Sequence, residues 1–482
     1  MAAGHPLTAE AGARVLREGG NAVDATVAAM LTSFVAEALL TGLGAGGYMM
    51  VAGAGVEPTL LDFFAQAPTR LGDGSEADLY ALEVNFGDAE QIFHIGPASC
   101  AVYGTPAGAS EAIRRWGTVP LERLVSPAAE LAHEGVPINA VQAYIAELLH
   151  ELLTSTPECA ALWAPTGRVL REGEIYRDHE LGEALTRLGA DGDEPFYRGD
   201  IAAGVCDWLA GRGGSLTAAD LADYRPIARR PVQIAYRDRT ILTNPPPSAG
   251  GTLLAYALGL LDRRPGPPGV AAIVEAMRAA QSERTAEFLD GLAEDGFAER
   301  FMGSRLGSTT HIAVIDGEGL SCSATSTNGE CSGVVVPGTG IHLNNMMGEE
   351  DLNPMGFHLH PAGRRLPSMM APTVVMREGE VDLVLGSAGS NRIRSALLQT
   401  ILGVVDHGMS VSEAIEAPRV HFENDIVFAE PGIDLSALPP ETRTVSFGER
   451  NLFFGGVQAA LCRDGVLSGA GDPRRGGAAV RA

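Results

Sequence analysis

Strand-like and helix-like segments alternate along the whole chain, and this interleaving constrains the fold more than any other feature. Residues 9–40 have helical spacing, the glycine-rich stretch after them reads as a turn and a strand, and residues 107–224 are largely helical. Strand patterns dominate after residue 309, with one further helix in "RIRSALLQTILGVVDHG". No tandem repeat or low-complexity linker divides the 482 residues. We therefore predict one layered α/β unit and not a string of separate domains.

The composition is that of a folded protein with an acidic surface. Hydrophobic residues make up 45% of the chain, enough for a large core, and the formal net charge is −25. The acidic residues are dispersed, and such a surface repels a phosphate backbone. We therefore expect no nucleic-acid partner, and solubility alone accounts for the charge.

Neither the N-terminus nor the apolar segments indicate a membrane protein. The first residues, "MAAGHPLTAEAG", lack the positive and apolar regions of a secretory signal. The longest apolar run, Ala25 to Ala36, is too short to span a bilayer. We expect no membrane partner and a cytoplasmic location, or an extracytoplasmic one if a leader was removed.

Absent residue types narrow the chemistry. All 35 basic residues are arginine, which excludes a phosphate-loop lysine, a Schiff-base lysine and a serine–lysine hydrolase. The six cysteines contain no C-x-x-C pair, which argues against zinc and redox motifs. The "HLHP" histidines at 358–361 could join His311 or His342 at a metal, but they lack regular ligand spacing. We expect no cofactor and no metal.

A hydroxyl-rich hairpin is predicted at residues 311–327. The strands "HIAVID" and "LSCSATST" flank a short "GEG" turn. Pairing Ile315 with Leu320 places Thr309 opposite Ser326, between Thr325 and Thr327. A register shifted by one residue is the alternative, and in either register the hydroxyls of Thr309 and Thr327 can come within reach of each other. The simplest explanation is strand propensity, because cross-strand threonine pairs stabilise a sheet by roughly 0.2–1 kcal/mol.

A chemical explanation of the same hydroxyls is also open. With no lysine in the chain, a threonine is best activated by its own α-amino group after the preceding peptide bond is cut. That amine has a reference pKa of about 7.7–8.0, so it is partly neutral near pH 7 and can accept the hydroxyl proton. Such an enzyme must cleave itself before it can work.

Eleven segments, in order along nearly the whole chain, resemble the gamma-glutamyltransferase family of N-terminal nucleophile hydrolases. The resemblance implies an α/β fold of the four-layer αββα sandwich type and a precursor that cuts itself at Ser308–Thr309. The products would be a large chain, 1–308, and a small chain, 309–482, that stay assembled as one unit. The segments are "HPLTAEAGARVLREGGNAVDA", "GLGAGGYMMV", "YGTPAGASEA", "LVSPAAELAHEGVPI", "NPPPSAGG", "STTHIAVID", "GTGIHLNN", "PSMMAPTVV", "GSAGSNRIR", "EAPRVHFE" and "DPRRGGAA".

The resemblance also implies the reaction. Thr309 would attack the side-chain amide of a γ-glutamyl compound such as glutathione, and water or an amine would resolve the acyl-enzyme. Thr327 matches the threonine that supports the nucleophile. Gly389 matches the first of two glycines whose N–H groups stabilise the oxyanion, and Ser390 replaces the second. The N–H donors survive that change if the position needs no positive φ.

The substrate-binding positions match the family only in part. Ser368 matches one of two serines that hold the substrate carboxylate, and Met369 replaces the other. Glu349 aligns best with the acidic group for the substrate amine. A family asparagine aligns with Gly329, next to Asn328. The family's carboxylate-binding arginine and its following glutamate are replaced by a phenylalanine and an alanine, Phe64 and Ala65.

Loss of that arginine leaves the acyl donor open. Candidates to replace it are Arg364, Arg365, Arg392 and Arg394. A γ-glutamyl hydrolase or transferase is the family default, and an acylase for a more apolar acyl group is the alternative that Phe64 and Met369 suggest. A non-enzymatic relative is the third hypothesis, and the retained Thr309, Thr327 and Gly389 argue against it.

His311 follows Thr309 by two residues and could act as a base. We instead expect a structural role, with its side chain pointing away from Thr309. A small-molecule amide is the expected partner, and a homodimer stays open.

Overall fold

Two antiparallel sheets stacked face to face form the centre of the molecule in a computed structural model. The structure describes residues 1–70, 79–85, 90–282, 310–349, 352–353 and 356–482. The first sheet has seven strands, in the spatial order β22 (Ala478–Ala479), β1 (Ala2–Ala3), β11 (Thr310–Ile315), β12 (Ser321–Thr327), β2 (Gly46–Gly53), β3 (Val56–Phe63) and β8 (Ile227–Arg229). The second has six, in the order β21 (Val466–Gly471), β20 (Gly456–Arg463), β16 (Glu380–Ala388), β15 (Thr373–Arg377), β10 (Arg239–Thr243) and β9 (Val232–Tyr236).

Helices cover the outer face of each sheet. Against the first sheet pack α1 (Pro6–Arg17), α2 (Ala22–Ala36) and α3 (Thr105–Trp116), with α4 (Leu121–Glu134) and α8 (His179–Asp191) behind them. Against the second pack α12 (Ala249–Asp262), α13 (Val270–Ser282), α14 (Ile393–Val405) and α15 (Val411–Glu416). The layers are therefore helix, sheet, sheet, helix, and the predicted αββα sandwich is confirmed.

Smaller elements surround this core. The remaining helices are α5 (Ala140–Leu148), α6 (His150–Leu153), α7 (Pro157–Trp163), α9 (Glu194–Tyr197), α10 (Asp200–Ala210) and α11 (Ala218–Asp223). The remaining strands pair as β4 (Tyr80–Asn85) with β5 (Glu90–Ile95), β6 (Val136–Pro137) with β7 (Ile175–Tyr176), β13 (Val335–Val336) with β14 (Ile341–His342), and β17 (Val420–Glu423) with β18 (Ile426–Ala429) and β19 (Arg443–Ser446). Within the described ranges, no helix is both long and apolar enough to cross a membrane.

The longest apolar run of the sequence forms α2, the central helix above the first sheet. Asn21 caps its N-terminus in a reciprocal capping box with Asp24. Every residue of the helix is buried, because one face contacts β11 and β12 while others contact α1 and α4. The run is therefore a core helix.

The predicted hairpin is confirmed, and its register is the alternative shifted by one residue from the first pairing. Ile315 pairs with Ser321, and Thr310 pairs with Ser326. The turn is longer than expected because Leu320 belongs to it: the N–H of Asp316 donates to the Leu320 carbonyl, and Asp316 Oδ1 accepts from the Leu320 N–H. Because alternate side chains of a strand face opposite sides of the sheet, a shift of one residue moves the side chains of one strand to the other face relative to their partners.

Strand alternation now fixes the two faces of the hairpin. Thr310 and Ser326 face the helices, where Thr310 Oγ1 donates to Glu37 Oε2 at 2.7 Å. His311 and Thr325 face the second sheet.

Residues on both sides of position 309 build both sheets. Four strands of the first sheet and two of the second come from residues before it, and three and four strands respectively come after it. The predicted boundary at 308/309 lies outside the described residues. A cut there would leave two chains interleaved in one core.

Candidate active site

Thr327 is the last residue of β12, and other predicted site residues lie at the same end of the sheets. Thr327 pairs with Gly46 of β2. A Cβ on Gly46 would lie 3.0 Å from the carbonyl carbon of Phe64, the residue after β3. Neighbouring strands are about 4.8 Å apart, so Phe64 lies roughly 10 Å from Thr327 along one edge of the first sheet.

The second sheet brings Gly389 to the same end. Ser323 Oγ donates to the Leu385 carbonyl at 3.1 Å. A Cβ on Gly386 would lie 2.3 Å from the ring of His311, whose cross-strand partner is two residues beyond Ser323. β12 and β16 thus run in the same direction on the two sides of the interface between the sheets. Gly389, directly after β16, is therefore level with the end of β12.

The segment before β15 returns to this end because β15 is antiparallel to β16. Ser368 Oγ accepts the N–H of Met370 at 3.0 Å, which leaves the hydroxyl proton of Ser368 available to a ligand. Met369 is buried, and a Cβ on Gly250 at the start of α12 would lie 2.0 Å from its carbonyl oxygen. The pair thus offers one hydroxyl and one apolar side chain.

Thr327 is held so that its hydroxyl can donate. Its Oγ1 accepts the N–H of Gly329 at 2.8 Å, and the residue is 3% exposed. Because that bond occupies a lone pair, the hydroxyl proton is free to reach another acceptor.

Gly329 occupies a position that only glycine can fill. A Cβ there would lie 2.0 Å from Glu349 Oε1 and 2.1 Å from Asn345 Oδ1, and its φ is 65°. Glu349 is therefore next to the loop that follows Thr327. The Asn328 amide donates to the His342 carbonyl at 3.2 Å, which ties that loop to β14.

The Gly389–Ser390 pair has the backbone of a glycine pair. Gly389 has φ 120° and Ser390 has φ 52°. The family resemblance implies that the serine keeps its N–H donor if position 390 needs no positive φ. The position does need one, and Ser390 adopts it at a cost of about 1–2 kcal/mol, so its N–H keeps the backbone geometry of a glycine. A 3₁₀ turn, Ser390–Arg392, leads directly into α14, whose N-terminus favours negative charge.

Phe64 is part of the core. It is 1% exposed and stacks on Tyr48 with ring centroids 5.3 Å apart. Its N–H donates to Asp62 Oδ1 at 2.9 Å, and its carbonyl accepts from the Tyr224 hydroxyl at 2.8 Å. The side chain at this position is apolar and fixed.

One of the candidate arginines, Arg365, lies beside Asp62, two residues before Phe64, and its side chain is held by contacts within the protein. Arg365 is buried, with Nε 3.4 Å from Asp62 Oδ1 and Nη1 donating to Gln66 at 3.1 Å. Its guanidinium also stacks on Tyr224, 4.2 Å from the ring centroid. These contacts give Arg365 a structural role.

Of the other three arginine candidates, two are bonded within the protein and the third is exposed. Arg392 Nε donates to the Phe453 carbonyl at 2.9 Å and stacks on the same ring. Arg394 bonds to Gln281. Arg364 is exposed.

His311 is neutral and held between the sheets. Its Nδ1 is 2.8 Å from Thr325 Oγ1, and its Nε2 is 3.4 Å from Ser323 Oγ. Burial lowers its pKa to about 3. These bonds favour the expected structural role; its predicted orientation relative to Thr309 concerns a residue outside the described ranges.

Arg475 borders the site, and sequence patterns alone did not mark it. Its Nη2 would lie 3.5 Å from a Cβ on Gly389, and its aliphatic carbons pack on Gly456. Within "DPRRGGAA" nothing distinguishes it from Arg474 except the side chains that each one meets in the folded chain.

Ser308 and Thr309, the predicted scissile pair, lie outside the described residues, as do residues 350 and 351 beside Glu349. Among the described residues, no group of three or more histidine, cysteine or acidic side chains is placed to hold a metal ion.

Comparison with known proteins gives the same architecture. The crystal structure of cephalosporin acylase from Bacillus halodurans superposes with a TM-score of 0.85 at 26% identity, over 99% of this chain and 94% of that one. Helicobacter pylori gamma-glutamyltranspeptidase superposes with a TM-score of 0.52 at 28% identity, over 61% and 88%. The fold is thus that of the N-terminal nucleophile hydrolases.

Sequence comparisons identify the family. The model of the gamma-glutamyltranspeptidase family matches residues 8–302 and 294–482. The acylase ACY 1 proenzyme of Pseudomonas sp. (strain V22) is 31% identical over 99% of this chain and 92% of its own length. The glutathione hydrolase proenzyme of Bacillus subtilis (strain 168) is 28% identical over 100% and 91%. The chain belongs to the gamma-glutamyltranspeptidase family, and it is an enzyme of the glutathione hydrolase-like type.

Proposed function

We propose that the chain is a self-processing hydrolase or transferase whose nucleophile is Thr309. The observation that carries the proposal is the hairpin register. Thr310, the residue after the proposed nucleophile, pairs with Ser326, the residue before Thr327. Gly389 approaches the same level from the second sheet. Nucleophile, supporting hydroxyl and oxyanion donors would then meet at one edge.

Maturation would proceed by attack of Thr309 Oγ1 on the carbonyl carbon of Ser308. The C–N bond of the scissile peptide breaks, the nitrogen takes the proton, and an ester forms. That shift frees the α-amino group of Thr309. Water then cleaves the ester, giving a carboxylate on Ser308 and restoring the Thr309 hydroxyl. The neighbouring Thr310 is a poorer nucleophile candidate because its hydroxyl is buried and bonded to Glu37.

In turnover the Thr309 amine would take the hydroxyl proton as Oγ1 attacks the amide carbon of the donor. Backbone N–H groups at Gly389 and Ser390 would stabilise the oxyanion. The amine product leaves with the proton, and water or a second amine releases the acyl group. Thr327 would donate its free hydroxyl proton towards the Thr309 amine or oxygen.

The preferred acyl donor is a γ-glutamyl amide, with glutathione-type compounds as its class. Ser368 and Glu349, at the same edge, offer a hydroxyl for a carboxylate and a carboxylate for an amine. The second candidate is an acylase with a non-glutamyl donor, favoured by the apolar Phe64 and Met369. The similarity to an acylase proenzyme and to cephalosporin acylase agrees with that alternative.

Intact-mass measurement tests maturation. Purified protein should give two chains, 1–308 and 309–482, and Thr309→Ala should give one uncut chain. An intact wild-type chain contradicts the proposal. Cutting of Thr309→Ala at the same bond would transfer the role to Ser308 or Thr310.

A chromogenic γ-glutamyl anilide separates the two donor classes. Fully cut enzyme should release the anilide, and the Thr309→Ala precursor should not. If cut enzyme hydrolyses only anilides of neutral acyl groups, the acylase alternative is correct.

A further inference from the structure

Arg475 places a cation beside the candidate oxyanion site. Its Nη2 is 3.5 Å from the position of a Cβ on Gly389, and the aliphatic part of the side chain lies against Gly456. Burial has the largest effect on its pKa and lowers it, and Glu330, three residues after Thr327, is the acidic group that raises it most. The guanidinium lies beside the residue that follows β16 and beside the Leu452 carbonyl.

Two neighbouring buried arginines, Arg474 and Arg419, have carboxylate partners within the protein. Arg474 bonds to Glu430 and Asp472, and its Nη1 donates to the Ile415 carbonyl at 2.9 Å. Arg419 pairs with Asp472 at 2.7 Å. Arg474 is saturated by carboxylates and carbonyls. Arg419 has a carboxylate partner for its charge, although its Nε has no hydrogen-bond partner among the described residues.

Arg475 is not saturated. Within the described ranges it forms no ion pair, and its buried Nε has no hydrogen-bond partner. Its one side-chain hydrogen bond there joins Nη2 to the Leu452 carbonyl at 3.5 Å. Burial lowers its pKa to about 10, so it is still charged at neutral pH. A partly buried cation without an anion is costly, and a ligand carboxylate would remove that cost.

Building on the proposed function, we propose that Arg475 binds a carboxylate of the acyl donor, in place of the arginine that the family resemblance expects at position 64. Arg475 would bind the carboxylate on the side of the second sheet, within the length of one side chain from Gly389. A donor whose carbonyl reaches the oxyanion site and whose carboxylate reaches Arg475 is a monoamide of a short dicarboxylic acid. The γ-glutamyl group is one member of this class, and its deamino analogue, the glutaryl group, is another.

Calorimetric titration tests the site without turnover. Matured wild-type protein should bind glutarate, and Arg475→Gln should weaken that binding about 10- to 100-fold, the loss expected for a charge-assisted hydrogen bond. Binding of glutaramide, a neutral molecule of similar shape, should change little. Arg481→Gln, the same change at an exposed arginine, is the matched control and should behave as wild type.

Equal glutarate affinity in wild type and Arg475→Gln overturns the assignment, as does wild type that binds no glutarate. If Arg475→Gln does not mature, Arg475→Lys decides. It keeps the charge but loses the two-pronged grip. Glutarate binding weakened severalfold with glutaramide binding unchanged supports the site, and unchanged glutarate binding refutes it.

Kinetics then separate this inference from the proposed function. For a γ-glutamyl anilide, Arg475→Gln should raise KM 10- to 100-fold with kcat nearly unchanged. For a pentanoyl anilide, both constants should stay within about threefold of wild type. Equal losses on both substrates assign Arg475 to the oxyanion or to folding and refute carboxylate binding. If matured wild type cleaves neither anilide, the proposed function fails, while glutarate titration still judges Arg475.

Discussion

At the residue scale, the candidate site depends on where single protons and charges are held. The Thr327 hydroxyl accepts from the Gly329 N–H and can still donate its proton, and the Ser368 hydroxyl accepts from the Met370 N–H in the same way. Arg475 forms no ion pair among the described residues. These are the groups still able to bond to a substrate or to a new N-terminal amine.

Thr327→Ala should slow maturation and turnover by about 100-fold or more, because it removes one positioned hydrogen-bond donor. Thr327→Ser keeps the hydroxyl and should retain most of both. The rate of two-chain formation, followed by mass spectrometry, and anilide release measure the two effects. Equal rates for Thr327→Ala and wild type would remove Thr327 from the mechanism.

Glu37 is a buried carboxyl beside the hairpin, and its titration should be visible in stability. Its oxygens accept from Thr8 at 2.8 Å and Thr310 at 2.7 Å, and burial raises its pKa. At a pH between the unfolded and the folded pKa of Glu37, the carboxyl is therefore protonated in the folded state and ionised in the unfolded state. The stabilisation is complete below the unfolded pKa and is lost as pH rises through the folded pKa.

Glu37→Gln should therefore flatten the pH dependence of stability. Above about pH 4.5, up to the folded pKa, wild type should lose up to about 1.4 kcal/mol per pH unit relative to the variant. Urea unfolding of both proteins from pH 4 to 8 measures the difference. Parallel profiles would show that Glu37 does not titrate with a raised pKa.

At the element scale, the stacking of the hairpin on β16 aligns the two halves of the site. His311 of β11 packs on Gly386 of β16, and Ser323 of β12 joins the two sheets by accepting from the N–H of Thr373 at 3.1 Å and donating to Leu385. A side chain at position 386 would push the sheets apart. This contact controls the level at which Gly389 meets the end of β12.

Gly386→Ala should destabilise the fold by about 1–3 kcal/mol, because its Cβ would lie 2.3 Å from the His311 ring. Activity should fall further than stability, because Gly389 would shift. Gly317→Ala, in the hairpin turn with nothing within 4 Å of its Cβ, is the control. Denaturant unfolding and anilide turnover measure both effects, and unchanged values for Gly386→Ala would contradict this packing.

At the scale of the whole molecule, a buried charge cluster fixes the turn that carries Arg475. Arg419 and Arg474 both pair with Asp472, and Arg474 Nε donates to Glu430 at 2.7 Å. Asp472 also accepts the Val457 N–H of β20 at 3.0 Å. The cluster joins α15, β20 and the residues before β22.

Asp472→Asn should cost about 3–5 kcal/mol, because it leaves two buried guanidinium groups without their shared anion. Asp464→Asn, at an exposed turn with no described ion pair, should cost little. Urea midpoints of the two variants give the comparison. A midpoint for Asp472→Asn equal to that of the control would show that the cluster adds nothing to stability.

The local pattern of residues was enough to predict the hairpin, the helical spacing of the segment that contains α2 and, through ordered family-like segments, the αββα fold. These depend on periodicity and turn residues that are close in the chain. The first pairing differs from the observed register because one aspartate, Asp316, binds Leu320 into the turn. Turn chemistry of that kind changes the pairing by one residue without changing the pattern.

The sequence by itself determined the family, the sheet-forming segments and the loss of the arginine at position 64. Only the tertiary structure decided that Ser390 must adopt a positive φ, that Arg365 is committed to Asp62, and that Arg475 forms no ion pair in the described part of the chain. The physical reason is that a side chain's partners come from distant positions: Gly389 and Arg475 are separated by 86 residues of chain and meet only when the strands are stacked.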